Sequence, residues 1–130
     1  MDRIEVAAAV ISKEGKFLIT LRQEKGILGG YWEFPGGKKE PEESLETCLA
    51  RELREELGIG ITVGKKIARI AYDYPDRKVD LHFFSCDWCE GALQNNLDPE
   101  FRWVEAAKLN QYPFPPANAK LIEMLMSKGL

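Results

Sequence analysis

The sequence predicts a domain of mixed α and β structure, in the α+β or α/β class, on three observations. An apolar stretch near the N-terminus alternates so that both faces of a strand are apolar. Helical periodicity runs from Ser44 to Leu57, and again from Ala117 to Met126. The chain has 130 residues, 45% hydrophobic and 30% charged. A chain of this size can bury roughly two thirds of its unfolded surface, so we expect residues 1–130 to form one globular domain.

The first two predicted strands lie at the N-terminal end. The residues from Ile4 to Ile11 are mostly apolar on both faces, which is typical of a central strand covered on two sides. Glu14-Gly15 supplies a turn, and a second strand starting at Phe17 ends at Arg22. The segment from Gln23 to Gly30 holds three glycines and no clear period, so we expect a mobile loop over this strand end.

The helical stretch from Ser44 to Leu57 carries signals at both ends. Ser44 is a suitable N-cap, Glu46 suits the first turn, and Gly58 stands where a left-handed residue ends a helix. A leucine repeat predicts the buried side of this helix. It consists of Leu45, Leu49, Leu53 and Leu57.

The second half of the chain predicts a hairpin, a further strand and a helix. The runs 67–74 and 79–88 are rich in β-forming residues and are joined by Pro75-Asp76-Arg77-Lys78, a turn sequence. A third strand is expected around Trp103. The run from Ala117 to Met126 is amphipathic and follows three prolines, which predicts a C-terminal helix.

Composition and charge exclude several classes of function. The formal net charge of −3 provides no general basic field, so binding to long nucleic acid is disfavoured, whereas a small anion needs only local positive charge. The apolar run Val6 to Ile11 is too short for a signal peptide or a membrane span, which predicts a cytoplasmic protein without a membrane partner. Cys86 and Cys89 would point to opposite faces of a strand, so zinc and redox chemistry are poorly supported. The single histidine, His82, lies in an apolar strand pattern, which favours a core or surface role over metal binding.

A cluster of glutamates lies on the first helix. At about 100° per residue, Glu52, Glu55 and Glu56 fall within roughly a quarter turn, beside the leucine repeat. A solvated acidic face is the ordinary explanation of such a cluster. Against it, Glu52 and Glu56 are like charges at i, i+4, which costs roughly a few tenths of a kcal/mol. Partial burial would also raise their pKa unless a cation neutralised them, and oxygen ligands alone favour Mg²⁺ or Mn²⁺ over zinc.

The glycine pair Gly36-Gly37 fits the same interpretation. It lets the backbone approach the glutamates closely and leaves a carbonyl free to bind a metal ion. Mg²⁺ keeps several waters and shares its coordination shell with substrate phosphates. The glycine pair and the glutamate helix together therefore indicate phosphate chemistry.

The stretch from position 37 to position 59 resembles a complete Nudix box. The resemblance lies in the spacing of two glycines, five charged residues and two apolar residues. They are Gly37, Glu43, Arg51, Glu52, Leu53, Glu55, Glu56, Gly58 and Ile59. The resemblance implies a Nudix fold, an α/β/α sandwich with a central mixed β-sheet, and hydrolysis of a nucleoside diphosphate linked to another group. It also implies that Glu52, Glu55, Glu56 and the Gly37 carbonyl bind catalytic Mg²⁺ or Mn²⁺, with Glu43 and Arg51 supporting them.

Three stretches outside the box core, "WEFPGGK", "YDYPDR" and "FPPAN", are similar to MutT-type 8-oxo-dGTP diphosphatases. That likeness implies hydrolysis of 8-oxo-dGTP or a related nucleotide to the monophosphate and pyrophosphate, which would sanitise the nucleotide pool. It also implies that Arg22, Phe34, Arg77 and Asn118 line the nucleotide pocket. From the residues alone, the arginines could equally be surface charges, Phe34 a core residue and Asn118 a helix N-cap.

One position departs from the MutT-type pattern. An acidic metal ligand commonly precedes the tryptophan that matches Trp103, whereas this chain has Arg102 there. Glu100 shares a strand face with Arg102 and is the candidate substitute. Two alternatives stay open: a Nudix pyrophosphohydrolase of CTP or 5-substituted dCTP, and a Nudix domain that binds a nucleotide or a partner without turnover. The sequence leaves open whether the protein is a monomer or a homodimer, and how many metal ions it binds.

Overall fold

The computed structural model describes residues 3–22, 30–93 and 100–129. The loop expected between Gln23 and Gly30 therefore lies outside the described residues, except for Gly30. The described part contains seven strands, two α-helices and two 3₁₀ turns. The strands are β1 Arg3–Lys13, β2 Lys16–Leu21, β3 Trp32–Glu33, β4 Gly36–Lys38, β5 Gly60–Tyr74, β6 Arg77–Glu90 and β7 Phe101–Glu105. The helices are α1 Leu45–Leu57 and α2 Ala119–Lys128, and the 3₁₀ turns are Ala106–Gln111 and Pro116–Asn118.

Strand β1 is central, as the sequence predicts. The sheet runs in the order β3-β2-β1-β6-β5, with β4 paired to β1 and β7 paired to β2. The pairing of β1 with β6 is parallel and the other pairings are antiparallel. One edge of β1 serves two partners, because Ser12 and Lys13 pair with β2 whereas Val6 to Ala8 pair with β4. The sheet is therefore mixed.

The two faces of β1 build two hydrophobic cores. Ala7 and Ala9 pack with Leu49 and Leu53 of α1 in one core. Ala8, on the opposite face, packs in the other core, which contains Leu121 and Leu125 of α2. Because successive side chains of a strand point to opposite faces, the two-sided apolar pattern follows directly from this layering. The α/β/α arrangement is confirmed.

Helix α1 has the boundaries that its sequence signals predict. Ser44 accepts a hydrogen bond from the Thr47 backbone N–H at 3.0 Å, and Gly58 adopts a left-handed conformation with φ 68°. Leu49, Leu53 and Leu57 are buried, and Leu45 is partly buried against the same core. Cys48 is also fully buried on this side of the helix.

The boundaries of the predicted hairpin are wrong, although the hairpin exists. Strand β5 begins at Gly60 rather than at residue 67. The sequence pattern missed its first residues because the pairing with β6 shifts register between Val63 and Ala68, which disturbs the alternation that marks a strand. The turn is Pro75-Asp76, and β6 already begins at Arg77. As expected for two residues three apart in a strand, Cys86 is buried and Cys89 is exposed.

The predicted start of the C-terminal helix, Ala117, is also wrong by two residues. Residues 116–118 form a 3₁₀ turn, so α2 begins at Ala119 and continues to Lys128. The sequence interpretation missed β3 and β4, which are two and three residues long, and the 3₁₀ turn Ala106–Gln111. Within the described ranges, neither helix is long and apolar enough to cross a membrane.

Candidate functional site

A cleft of about 410 Å³ opens beside β1 and β6. Its floor is apolar, formed by side chains that these two strands present to the face on which α2 packs. They include Ile4, Val6, Ala8, Val79, Leu81 and Phe83. This volume lies in the range of small-molecule sites, about 300–1,000 Å³.

Seven of the site residues implied by the resemblance line this cleft. They are Arg22, Phe34, Gly37, Glu52, Glu56, Arg77 and Asn118. Glu43, Arg51, Glu55 and Glu100 are not among the described residues that line it. The structure thus brings together, from five separate segments of the chain, two box glutamates and all four expected pocket residues.

At the acidic end, Glu52 lies directly against the backbone of β4. A Cβ atom added to Gly37 would fall 2.6 Å from either carboxylate oxygen of Glu52, so any larger residue would displace this side chain. The Glu52 side chain is 18% exposed. The Gly37 carbonyl accepts a weak hydrogen bond from Cys48 Sγ at 3.5 Å.

Glu56 lies beside Glu52 and is partly buried. Burial, followed by the charges of Glu52 and Glu33, raises the pKa of Glu56 to about 8. The site therefore gathers negative charge that a cation would neutralise. Carboxylate oxygens and a backbone carbonyl are the ligands of hard cations such as Mg²⁺ or Mn²⁺, and the glycine leaves room for them, so the residues present fit such an ion.

Arg51 connects the remaining charged residues of the box. Its Nη2 and Nε donate to Glu43 at 2.6 and 3.0 Å, and its Nη1 donates to Glu52 and Glu55, both at 3.2 Å. The Arg51 guanidinium, with the backbone N–H of Glu40, lowers the pKa of Glu43 to about 2. Glu55 is 57% exposed and is oriented by Arg51 rather than directed into the cleft. This network links the Glu52 carboxylate to Glu43 and Glu55 through Arg51.

Phe34 and Asn118 also line the cleft. Phe34 stacks on Phe114 with ring centroids 5.6 Å apart and is 3% exposed, so it belongs to the core as well as to the cleft. Asn118 is 6% exposed. It occupies the N-cap position of α2 but makes no side-chain capping hydrogen bond, and its Nδ2 donates to the Pro115 carbonyl at 3.4 Å instead. A capping role therefore does not explain this asparagine.

The two cleft arginines are partly buried rather than fully exposed surface charges. The Arg22 side chain is 16% exposed and its Nη1 donates to Glu33 at 2.6 Å. The Arg77 side chain is 28% exposed. Sequence reasoning missed Glu33 and Tyr74, which also line the cleft. Glu33 lies within the "WEFPGGK" stretch, so the similarity of that stretch to MutT-type enzymes could have indicated it.

Glu100 lies outside the cleft. It precedes β7, where its backbone carbonyl accepts a hydrogen bond from Leu21 at 2.9 Å. Its exposed carboxylate forms an ion pair with Arg102, so the two side chains do share a face. The Arg102 guanidinium carbon lies 5.5 Å from the Trp32 ring centroid.

A second group of metal-ligand side chains lies on β1 and β6. Glu5, Asp80 and His82 each place one ligand atom within 4.8 Å of the others. Asp80 is already bonded by the Arg69 guanidinium, at 3.0 Å from Nε and 2.7 Å from Nη2. His82 Nε2 lies 3.2 Å from Glu5 Oε1. This group forms an ion-paired network apart from the cleft lining.

Comparison with known proteins identifies one family. A family model described as NUDIX domain matches residues 6–124. The CTP pyrophosphohydrolase of Escherichia coli K12 is 40% identical over 127 residues, which cover 98% of this chain and 94% of that protein. The 8-oxo-dGTP diphosphatase of Haemophilus influenzae is 37% identical over 131 residues, covering 98% of this chain and 96% of that protein. The solution structure of the E. coli ORF135 protein superimposes with a TM-score of 0.83 at 40% identity, covering 98% of this chain and 91% of that one.

Proposed function

The chain belongs to the NUDIX family, and on that premise we propose that it hydrolyses 8-oxo-dGTP, or a related nucleoside triphosphate, to the monophosphate and pyrophosphate. The observation that carries this proposal is a single cleft lined by Glu52 and Glu56 together with Phe34 and Asn118. Such a cleft offers an acidic, cation-binding end for phosphates and an aromatic and amide end for a base.

The base end suits 8-oxoguanine because of its hydrogen-bonding pattern. Guanine presents acceptors at O6 and N7, whereas 8-oxoguanine carries a proton on N7 and presents a donor beside the O6 acceptor. An asparagine amide has two N–H donors and one acceptor oxygen. Asn118 uses one N–H on Pro115, and the remaining N–H and oxygen match O6 and N7–H. Unmodified guanine would set N7 against the amide oxygen and leave a buried acceptor unpaired.

The phosphate end is assigned to the residues of the box. Glu52, Glu56 and the Gly37 carbonyl would hold Mg²⁺ or Mn²⁺, with Glu55 as a further ligand on the outer side. When bound, the cation neutralises the polyphosphate, positions a water and stabilises the attacking and leaving oxygens. Arg51 and Glu43 hold Glu52 in place, while Arg22 and Arg77 contribute positive charge along the cleft. No covalent enzyme nucleophile is required.

The second candidate is hydrolysis of CTP or a 5-substituted dCTP. The E. coli relative named CTP pyrophosphohydrolase, 40% identical over 98% of this chain, favours it. A catalytically inactive nucleotide-binding or partner-binding domain is disfavoured because every charged residue of the box is present. For either substrate, the proposed ligand is a small nucleotide and not long nucleic acid, the proposed setting is the cytoplasm, and the proposed unit is one Nudix domain acting as a monomer or homodimer.

A nucleotide panel tests the proposal. Wild-type protein is assayed with 8-oxo-dGTP, dGTP, CTP, 5-methyl-dCTP and UTP in Mg²⁺, with detection of released pyrophosphate. We expect the highest kcat/KM for 8-oxo-dGTP. A preference for CTP or 5-methyl-dCTP would establish the pyrimidine candidate instead, and no hydrolysis of any nucleotide would favour the binding domain. Glu52→Gln, assayed in parallel, shows whether the measured turnover belongs to this site.

A further inference from the structure

Glu33 lines the cleft, but the mechanism above gives it no part. Strand pairing places it opposite Thr20 of β2, and its Oε1 accepts a hydrogen bond from Arg22 Nη1 at 2.6 Å. The Glu33 and Arg22 side chains are 34% and 16% exposed. A charge-assisted hydrogen bond of this length, in a partly buried site, is stronger than a solvent-exposed ion pair.

The backbone holds both partners of this pair. The Arg22 N–H donates to the Tyr31 carbonyl at 2.8 Å, directly after β2 ends. On the other strand, the Trp32 N–H donates to the Pro113 carbonyl at 2.8 Å, one residue before Glu33. The contact is therefore built by two anchored segments, and does not depend on two flexible side chains meeting at a surface.

Glu33 also lies within electrostatic range of the box. It lines the same cleft as the box glutamates Glu52 and Glu56. Arg22 is thus a cation in a cleft lined by three carboxylates, those of Glu33, Glu52 and Glu56. If its guanidinium turned to Glu52 or Glu56, it would neutralise the side chains that a divalent cation needs.

We propose that Glu33 is a positioning residue that holds Arg22 away from Glu52 and Glu56 and presents it to the negative charge of the substrate. The inference rests on the proposed function, because it assumes that the box carboxylates bind a divalent cation. Glu33 is thus an acidic residue of the cleft that lies outside the box. Glu100, the acidic residue expected from the sequence, does not line the cleft and pairs with Arg102.

The test compares cation affinity with and without the Glu33 charge. Glu33→Gln keeps the length of the side chain and removes its charge. We expect calorimetry without nucleotide to show Mn²⁺ affinity lowered about tenfold, in the range measured when a residue supporting a metal ligand is removed. The Mg²⁺ concentration for half-maximal hydrolysis should rise by a similar factor, and KM for the nucleotide should rise more than kcat falls.

The double variant Arg22→Gln/Glu33→Gln identifies how Glu33 acts. If released Arg22 is the competitor, removing it should restore Mn²⁺ affinity to within about twofold of wild type, a strong non-additivity. KM should stay high, because Arg22 itself is missing. Glu33→Asp, which retains the charge, should bind Mn²⁺ like wild type. Glu90→Gln is the matched control, since it loses an exposed pair with Arg54 outside the cleft lining and should leave Mn²⁺ affinity unchanged.

Two results would overturn the proposal. A double variant that binds Mn²⁺ as weakly as Glu33→Gln would show that Glu33 acts on the cation directly. Equal Mn²⁺ affinity in wild type and in a folded Glu33→Gln protein, judged by its melting curve, would show that the pair has no influence on the site. Failure of the proposed function would appear separately, as wild-type protein that binds Mn²⁺ and hydrolyses no nucleotide in the panel.

Discussion

Removing the Glu56 charge should make the metal-free protein more stable at alkaline pH while it abolishes most turnover. Burial and the neighbouring carboxylates raise the pKa of Glu56 from 4.5 to about 8. Between these two values the folded state holds a proton that the unfolded state has released. Stability of the wild type should therefore fall as pH rises from about 4.5 to about 8, and should level off above that range.

The size of the effect follows from the pKa displacement. A displacement of about 3.5 units, at about 1.4 kcal/mol per unit, gives an upper bound of about 5 kcal/mol. Glu56 is partly accessible and its side chain can relax toward solvent, so we expect about 2 kcal/mol between pH 5 and pH 8.5. For a chain of this length that corresponds to a fall of roughly 6–10 °C in Tm. Glu56→Gln, which has no such charge, should show little of this pH dependence.

The assay is thermal unfolding in EDTA from pH 5 to pH 9, repeated at saturating Mg²⁺. Mg²⁺ should remove most of the alkaline destabilisation from the wild type and should have a smaller effect on Glu56→Gln. Glu123→Gln, an exposed glutamate on α2, is the control and should follow the wild-type curve. Turnover of Glu56→Gln should fall at least about a hundredfold, the scale of losing a strong charge-stabilising group. Identical stability curves for metal-free wild type and Glu56→Gln would refute the argument.

Three further predictions concern other parts of the cleft. Gly37→Ala should reduce turnover with little loss of Tm, because the added Cβ meets the movable Glu52 carboxylate. Gly36→Ala should lower Tm, because its Cβ would fall 2.8 Å from the Ala8 Cα. Thermal melts and turnover assays on both variants test this, and a larger loss of Tm in Gly37→Ala than in Gly36→Ala would contradict it. Asn118→Ala and Asn118→Asp should both lose the preference for 8-oxo-dGTP over dGTP, by up to about 10⁴-fold, with turnover of the poorer substrate retained; an unchanged kcat/KM ratio in Asn118→Ala would exclude base recognition by this residue. Glu100→Gln should leave kcat and the pH–rate profile near wild type, because its carboxylate pairs with Arg102; a lowered kcat would show that Glu100 reaches the bound cation during turnover.

Local signals account for the parts of the fold that the sequence predicts well. Ser44 and Gly58 mark the ends of α1 because capping depends on a few adjacent residues. The start of β5 was less predictable, since two register shifts between Val63 and Ala68 interrupt the alternation. Val63, before the shifts, packs against one core, whereas Ala68, after them, packs against the other. Strands β3 and β4 are too short to show a period, and they exist because β2 and β1 offer them an edge.

The same distinction applies to the candidate site. The box glutamates could be found from spacing along one helix, whereas the contact between Arg22 and Glu33 depends on the pairing of β2 with β3. No local pattern indicates whether an exposed-looking glutamate pairs with a cation from another strand. Asn118 could be placed at the start of a helix, but the absence of a capping bond and the hydrogen bond of its amide to the Pro115 carbonyl are visible only in three dimensions.

Strand β1 both pairs with β4 and contributes to the floor of the cleft. Ala7 pairs with Gly37 and Ala8 pairs with Gly36, so small residues on both strands allow a very close approach at this point. Ala7 faces the core that α1 covers, while Ala8 faces the opposite core and the cleft floor. The backbone that carries the Gly37 carbonyl is thus anchored to a strand that forms part of the cleft floor. A larger side chain at either alanine would overpack a close contact, at a cost of about 1–3 kcal/mol. The position of the Gly37 carbonyl beside the cleft floor therefore depends on small residues in the sheet.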